Sequence, residues 1–338
     1  MNSIRRENLI CKAAGVALLV QFFAAASVLA AAETPSPALL VLNKEDNTLA
    51  IVDPATGKVA GLVPTGESPH EVTVSSDGKF AFVGNYGAQT PGKTISVIDL
   101  AAQKEVRRVD LGPLRRPHGV FFADGKLYFT AQVNKVIGRY APESNLIDWL
   151  LGTGQDTTHM VMVAKNGNRI FTSNIGSNSI TIMERATGPV EWEETVVSVG
   201  QGPEGFDLSP DEKELWAANS RDGSVSVVDI AAKKVVQTID VHTKRSNRLK
   251  FTLDGKQVLI SDMAGNQVVV LDAAARKEIK RIKPGHSPEG ILMAPDGKQA
   301  YVAVSGDDKI AILDLSTLKV TGQISTGRGP DGMAWTGK

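Results

Sequence analysis

One pattern recurs every 41 to 48 residues from about residue 38 to the end of the chain. Its clearest copies are Ser-Pro-Glu-Gly-Ile-Leu-Met-Ala-Pro-Asp-Gly-Lys-Gln-Ala-Tyr-Val (287–302) and Gly-Pro-Glu-Gly-Phe-Asp-Leu-Ser-Pro-Asp-Glu-Lys-Glu-Leu-Trp (202–216). A unit this short, made of alternating strands, cannot bury its apolar faces alone and must stack on its neighbours. A period near 43 of this kind belongs to a propeller blade. Such a repeat constrains the fold tightly and the function hardly at all.

Each copy reads as four strands. The first opens at a Pro-x-Gly-like entry, as in Gly119-Val120-Phe121-Phe122, and ends at an Asp-Gly-Lys turn such as 77–79, 124–126, 254–256 or 296–298. Asp-Gly supplies the positive φ that a tight hairpin needs. The second strand is aromatic and β-branched (301–304), the third alternates and ends in Asp (95–99, 225–229, 310–314), and a fourth follows (319–324). The entries align at Pro69, Pro117, Thr158, Pro203, Ser246, Pro288 and Pro330. Residues 39–64 lack a first strand, and 331–336 form a first strand with nothing after it. Sharing one blade closes the ring and removes its open edges, whereas an open solenoid would leave an unpaired unit. The expectation is an all-β, seven-bladed propeller with four-stranded antiparallel blades over 38–338, preceded by a short linker at 33–37.

The first 32 residues stand apart. Arg5, Arg6 and Lys12 lead into an apolar run, Ala13 to Leu29, which closes on Ala30-Ala31-Ala32. That is the order of a cleavable export signal, although the run is also close to a minimal membrane span. Cys11, the only cysteine, lies inside it and is poorly placed for a lipid anchor. Cleavage removes three basic residues and one acidic, taking a neutral chain to about −2. The mature chain then has no disulfide, no membrane span and no general pull toward nucleic acid. A periplasmic or secreted location is expected.

The chain resembles the bacterial YVTN-repeat (YncE-like) propellers over essentially all of its mature length. The naming tetrad has its equivalents in Phe82-Val83-Gly84-Asn85, Leu215-Trp216-Ala217-Ala218-Asn219 and Tyr301-Val302-Ala303-Val304. The resemblance implies an exported seven-bladed propeller and no particular reaction. Members are similar to surface-layer and periplasmic binding proteins, one relative is associated with DNA binding, and related propellers carry copper or haem.

Residues that recur at one repeat position belong to the scaffold. The Asp ending each third strand (Asp53, Asp99, Asp229, Asp272, Asp314) is expected to bond its own turn, and Asn43, Asn85, Asn174 and Asn219 to end second strands structurally. The four Trp residues occupy different repeat positions and suit packing.

Positions where the copies differ carry more. The residue after each entry is, in order, His70, His118, His159, Glu204, Asn247, Glu289 and Asp331. All seven are expected to encircle one mouth of the central channel. His70, His118 and His159 form the donor set of a Zn²⁺ or copper site with an open position, with Glu289 and Asp331 orienting them. The same residues with Glu204 are the candidates for acid/base work. His242 and His286 fall close by in the repeat. Arg115, Arg116, Lys244, Arg245, Arg248 and Arg328 bring cations to this face, of which Arg116 and Arg248 are the candidate ligand contacts to an anion. The connection 86–93 is longer than its counterpart in the first blade and lies on the same side.

Three functions follow. The first is an exported protein that binds a small molecule, a metal or a partner protein at this mouth. It fits the absence of G-x-S-x-G, H-E-x-x-H and P-loop motifs. The second is a lactonase- or lyase-type enzyme using the His/carboxylate ring. Residues 126–139 are locally similar to antibiotic-lyase propeller repeats. The third, a nucleic-acid binder, is disfavoured by charge and scattered aromatics.

Overall fold

The computed structural model describes residues 33–188 and 190–337, so the expected signal segment, with Cys11, lies outside the described residues. Seven four-stranded antiparallel sheets surround a central channel, with the first strand of each innermost. Blade 2 comprises Pro69–Val74, Phe80–Asn85, Thr94–Asp99 and Lys104–Asp110. Blades 3 to 7 repeat the plan, with innermost strands Pro117–Ala123, Thr158–Val163, Pro203–Leu208, Ser246–Phe251 and Pro288–Met293. Blade 1 is built from both ends of the chain: Pro330–Thr336 pairs with Ala38–Asn43, which continues into Thr48–Asp53 and Lys58–Pro64. Leu39 pairs with Trp335 and Leu40 with Ala334, closing the ring as expected.

The core lies between the blades. The interface of blades 2 and 3 is typical: Phe82, Ile95 and Val97 pack with Phe129 and Tyr140, all nearly inaccessible to water. The scaffold residues behave as anticipated. Asp53, Asp99, Asp229 and Asp272 each accept a backbone N–H two or three residues on, and Asp314 adds two hydroxyls. Asn85 donates to Thr94 and Ser96 of the adjacent strand and accepts from Gly66 N–H, so its buried amide is satisfied. Trp216 packs edge-on to Phe251, and Trp335 to Tyr301.

Two features of the innermost strands shape the channel. Every blade has an irregularity in pairing just after the entry, for example between Pro69 and Glu71 or Pro203 and Phe206. A bulge re-aims the side chains it carries, and this one carries the residue after each entry. The next position is Gly in four blades because neighbouring backbones touch there. A Cβ on Gly205 would lie 2.5 Å from Asn247 O, and one on Gly332 would lie 2.2 Å from His70 O. Glu71, Met160 and Arg248 replace it in blades 2, 4 and 6. Among the described residues no helix is long and apolar enough to cross a membrane.

Candidate functional site

All seven entry-following residues, His70, His118, His159, Glu204, Asn247, Glu289 and Asp331, line one cavity of about 570 Å³ at one mouth of the channel. The ring expected from the repeat is therefore present. A second ring, which the sequence reading missed, joins it. Lys44, Tyr86, Gln132, Ile175, Ser220 and Met263 also line the cavity, and each directly follows the last residue of a second strand. Their signal was the recurrent Asn that ends that strand in four blades: the residue after it is the next to reach the axis.

The first ring is tied together from blade 7 round to blade 4. Lys44 forms ion pairs with Glu289 and with Asp331, the latter at 3.3 Å. His70 Nδ1 lies 3.1 Å from the same Asp331 carboxylate. The His70 ring is 5.1 Å from that of His118, which lies 3.8 Å from His159 at a 33° tilt. On the far side Asn247 Nδ2 donates to Glu204 Oε1 at 2.9 Å.

Burial divides these groups electrostatically. Desolvation, reinforced by the neighbouring imidazoles, pushes His118 well below the usual range and His159 down to about 3, so both are neutral. Desolvation likewise raises Glu204 to about 7, with Arg245 and the Asn247 bond pulling the other way. Burial would lower Lys44, but Asp331 and Glu289 outweigh it and raise its pKa. Burial would raise Asp331, but Lys44, His70 and Arg248 hold it well below the carboxylate range. Burial and the Asp331 charge raise Glu289.

The cavity has a floor. Arg248 of blade 6 reaches Glu71 of blade 2, nearly opposite in the ring, in a buried ion pair. Arg248 lines both the upper cavity and a second space of about 350 Å³ below it, walled by Phe121, Met160, Met162, Met333 and Trp335. The bridge separates a polar chamber from an apolar one. Glu71 was not among the sequence candidates; its only trace is that it occupies a glycine position.

Several residues singled out by the repeat take other partners. His70, His118 and His159 come together, with the His118 and His159 rings 3.8 Å apart and tilted by 33°, but His159 Nδ1 already meets Gln132. Among the described residues no group of three His, Cys, Asp or Glu side chains is placed to hold a metal ion, so the arrangement does not fit a three-imidazole Zn²⁺ or copper site. Arg116 is not a lining residue, because its guanidinium stacks 4.5 Å from the Tyr86 ring and donates to Ala88 O. His242 and His286 are exposed and paired with Asp240 and Asp307 outside the cavity. Arg328, paired with Asp46, also lies outside it.

Arg221, Lys244 and Arg245, on blades 5 and 6, line the cavity on its open side. Among the described residues none of their side chains is in an ion pair, although the charge of Arg245 is felt at Glu204. The buried charges below them largely balance one another: Arg248 with Glu71, and Lys44 with Asp331 and Glu289.

Fold and closure define a seven-bladed propeller with a blind polar mouth. The description of YncE-like β-propellers matches residues 3–338, and the chain belongs to that family. No curated protein is similar enough to match. The Pseudomonas aeruginosa periplasmic gluconolactonase superposes with a TM-score of 0.71 at 16% identity, covering 89% of this chain and 99% of the other. A Kuenenia stuttgartiensis hydrazine synthase chain gives 0.66 at 22%, covering 78% and 88%. A Lactobacillus plantarum protein gives 0.74 at 14%, covering 88% and 99%. At these identities the likeness is one of fold.

Proposed function

We propose that this propeller binds a small anionic organic molecule, a carboxylate or phosphate, at the mouth of its channel. We propose too that it acts after export, residues 1–32 being the cleaved signal. One observation carries the ligand class: three unpaired cations, Arg221, Lys244 and Arg245, share one arc of a closed-bottomed cavity. An anion there gains charge-assisted hydrogen bonds, and the neutral His118 and His159 leave the opposite wall without added charge. The volume lies within the range of small-molecule sites.

Calorimetric titration with short carboxylates and sugar phosphates tests this. Saturable binding that weakens with salt is expected, falling about 10- to 100-fold in an Arg221→Ala/Lys244→Ala/Arg245→Ala variant. If no anion binds the parent, the ligand class is wrong.

A second function, lactone hydrolysis, is favoured by Glu204. A carboxyl with a pKa of about 7 both gives and takes a proton at neutral pH. Opening a lactone with water yields a hydroxy-carboxylate, so the product belongs to the same ligand class. The similarity to a periplasmic gluconolactonase supports this function as a fold-level analogy only. Turnover of a sugar lactone that falls at least 100-fold in Glu204→Gln establishes it. Equal turnover in parent and variant excludes Glu204 from that role.

A further inference from the structure

The start of the blade 2 connection joins the mouth through a directed chain of hydrogen bonds. Tyr86 Oη donates to Gln132 Oε1 at 2.8 Å. Gln132 Nε2 meets His159 Nδ1, and both residues are more than nine-tenths buried. The Tyr86 ring is fixed on several sides: 4.7 Å from His70, edge-on to His118 at 5.4 Å, and covered by the Arg116 guanidinium. Arg116 is itself held in the left-handed region, φ 56°, just before the entry Pro117.

We propose that Tyr86 and Gln132 are positioning residues that lock His159 in its Nε2–H tautomer, so that the ring keeps a buried, unpartnered N–H beneath the mouth. The direction follows from proton inventory. A phenol has one proton; a carboxamide oxygen only accepts and its nitrogen only donates. With the hydroxyl proton directed at Oε1, the amide presents N–H to His159. A neutral imidazole has one accepting nitrogen and one donating nitrogen. Nδ1 accepts, so the single ring proton sits on Nε2, which is itself buried and has no partner among the described residues. Desolvation keeps the ring neutral at physiological pH, so tautomer rather than charge decides what it offers. The opposite tautomer would leave a buried lone pair in its place. The tautomer does not rest on the anionic-ligand proposal.

The test is long-range ¹H–¹⁵N NMR on ligand-free protein labelled at histidine, with His159 assigned by its loss in His159→Asn. The parent is expected to show a pyridine-type Nδ1 and a pyrrole-type Nε2. Tyr86→Phe keeps the ring stack but frees the amide to turn, and is expected to give a mixture of tautomers. Gln132→Glu, which offers only acceptors, is expected to move a proton onto Nδ1. Thermal melting confirms that each variant is folded. A protonated Nδ1 in the neutral parent overturns the proposal, as does an unchanged His159 in both variants. Failure of every anion to bind, with Nε2–H intact, removes the ligand class while the tautomer assignment stands.

Discussion

The Arg248–Glu71 bridge closes the cavity at a cost. Two charges are taken out of water, and the effective penalty is several kcal/mol per ion before any attraction is counted. Asp331 and Glu289 help to support the Arg248 charge against its burial, so the floor is part of the same electrostatic cluster as Lys44. Removing one partner leaves the other charge stranded. Arg248→Met or Glu71→Leu alone is expected to lower stability by about 3–5 kcal/mol, while the double variant loses far less. Urea unfolding of the four proteins in the cycle measures this. Near-additive losses would mean that the two side chains act separately and that the floor is not a pair.

At the scale of the element, the innermost strand does two jobs that conflict. It must bring seven backbones close around an axis, which favours Gly, and it must present side chains to the channel, which the bulge achieves one position earlier. Gly205→Ala puts a methyl 2.5 Å from Asn247 O and 2.7 Å from Arg248 Cα. Backbone cannot yield there cheaply, so a loss of about 2 kcal/mol is expected. Gly152→Ala, with nothing within 4 Å of the new methyl, should stay within about 0.5 kcal/mol of the parent. Equal melting temperatures for the two variants would refute the crowding argument. This conflict also decides what was legible. The first ring was readable because an entry motif fixes the register, so His70, Glu204 and Asp331 had to be equivalent. Lys44 and Tyr86 follow an equally regular strand end, but differ so much in chemistry that their equivalence is hidden. The Glu71–Arg248 pair joins blades about 180 residues apart, and only the curvature of the ring brings them together. The metal expectation rested on spacing, which puts three imidazoles on adjacent blades but says nothing of ring orientation; here two of the rings lie 3.8 Å apart, and one nitrogen is taken by Gln132.

For the whole molecule, the buried titratable groups set a pH profile with two opposing slopes. His159 is neutral in the folded protein down to about pH 3, whereas the unfolded chain takes up its proton below about 6.5. Between those values the unfolded state binds more protons, so stability is lost as pH falls. His118 acts in the same direction, and so does Asp331 at lower pH, its depressed pKa giving stability above 3.8 that acid removes. Glu204 works against them. Its folded pKa of about 7 lies above the ordinary 4.5, so the folded state holds the extra proton and stability is lost as pH rises through that interval. Glu289, raised by burial and the Asp331 charge, works in the same sense as Glu204. Net stability should therefore climb from pH 4 to 6.5 only by the excess of the two imidazoles over these carboxyls, then flatten or dip toward pH 7.5. Replacing Glu204 with Gln removes its part of the opposing slope, and the climb from pH 4.5 to 6.5 should steepen with a smaller dip above it. Unfolding free energies from urea titrations at half-unit pH steps decide between the outcomes. A parent profile that is flat below pH 6.5 would mean that His118 and His159 take up protons in the folded state. The mouth would then be cationic on both walls, and the chemistry assigned to its neutral side would be wrong.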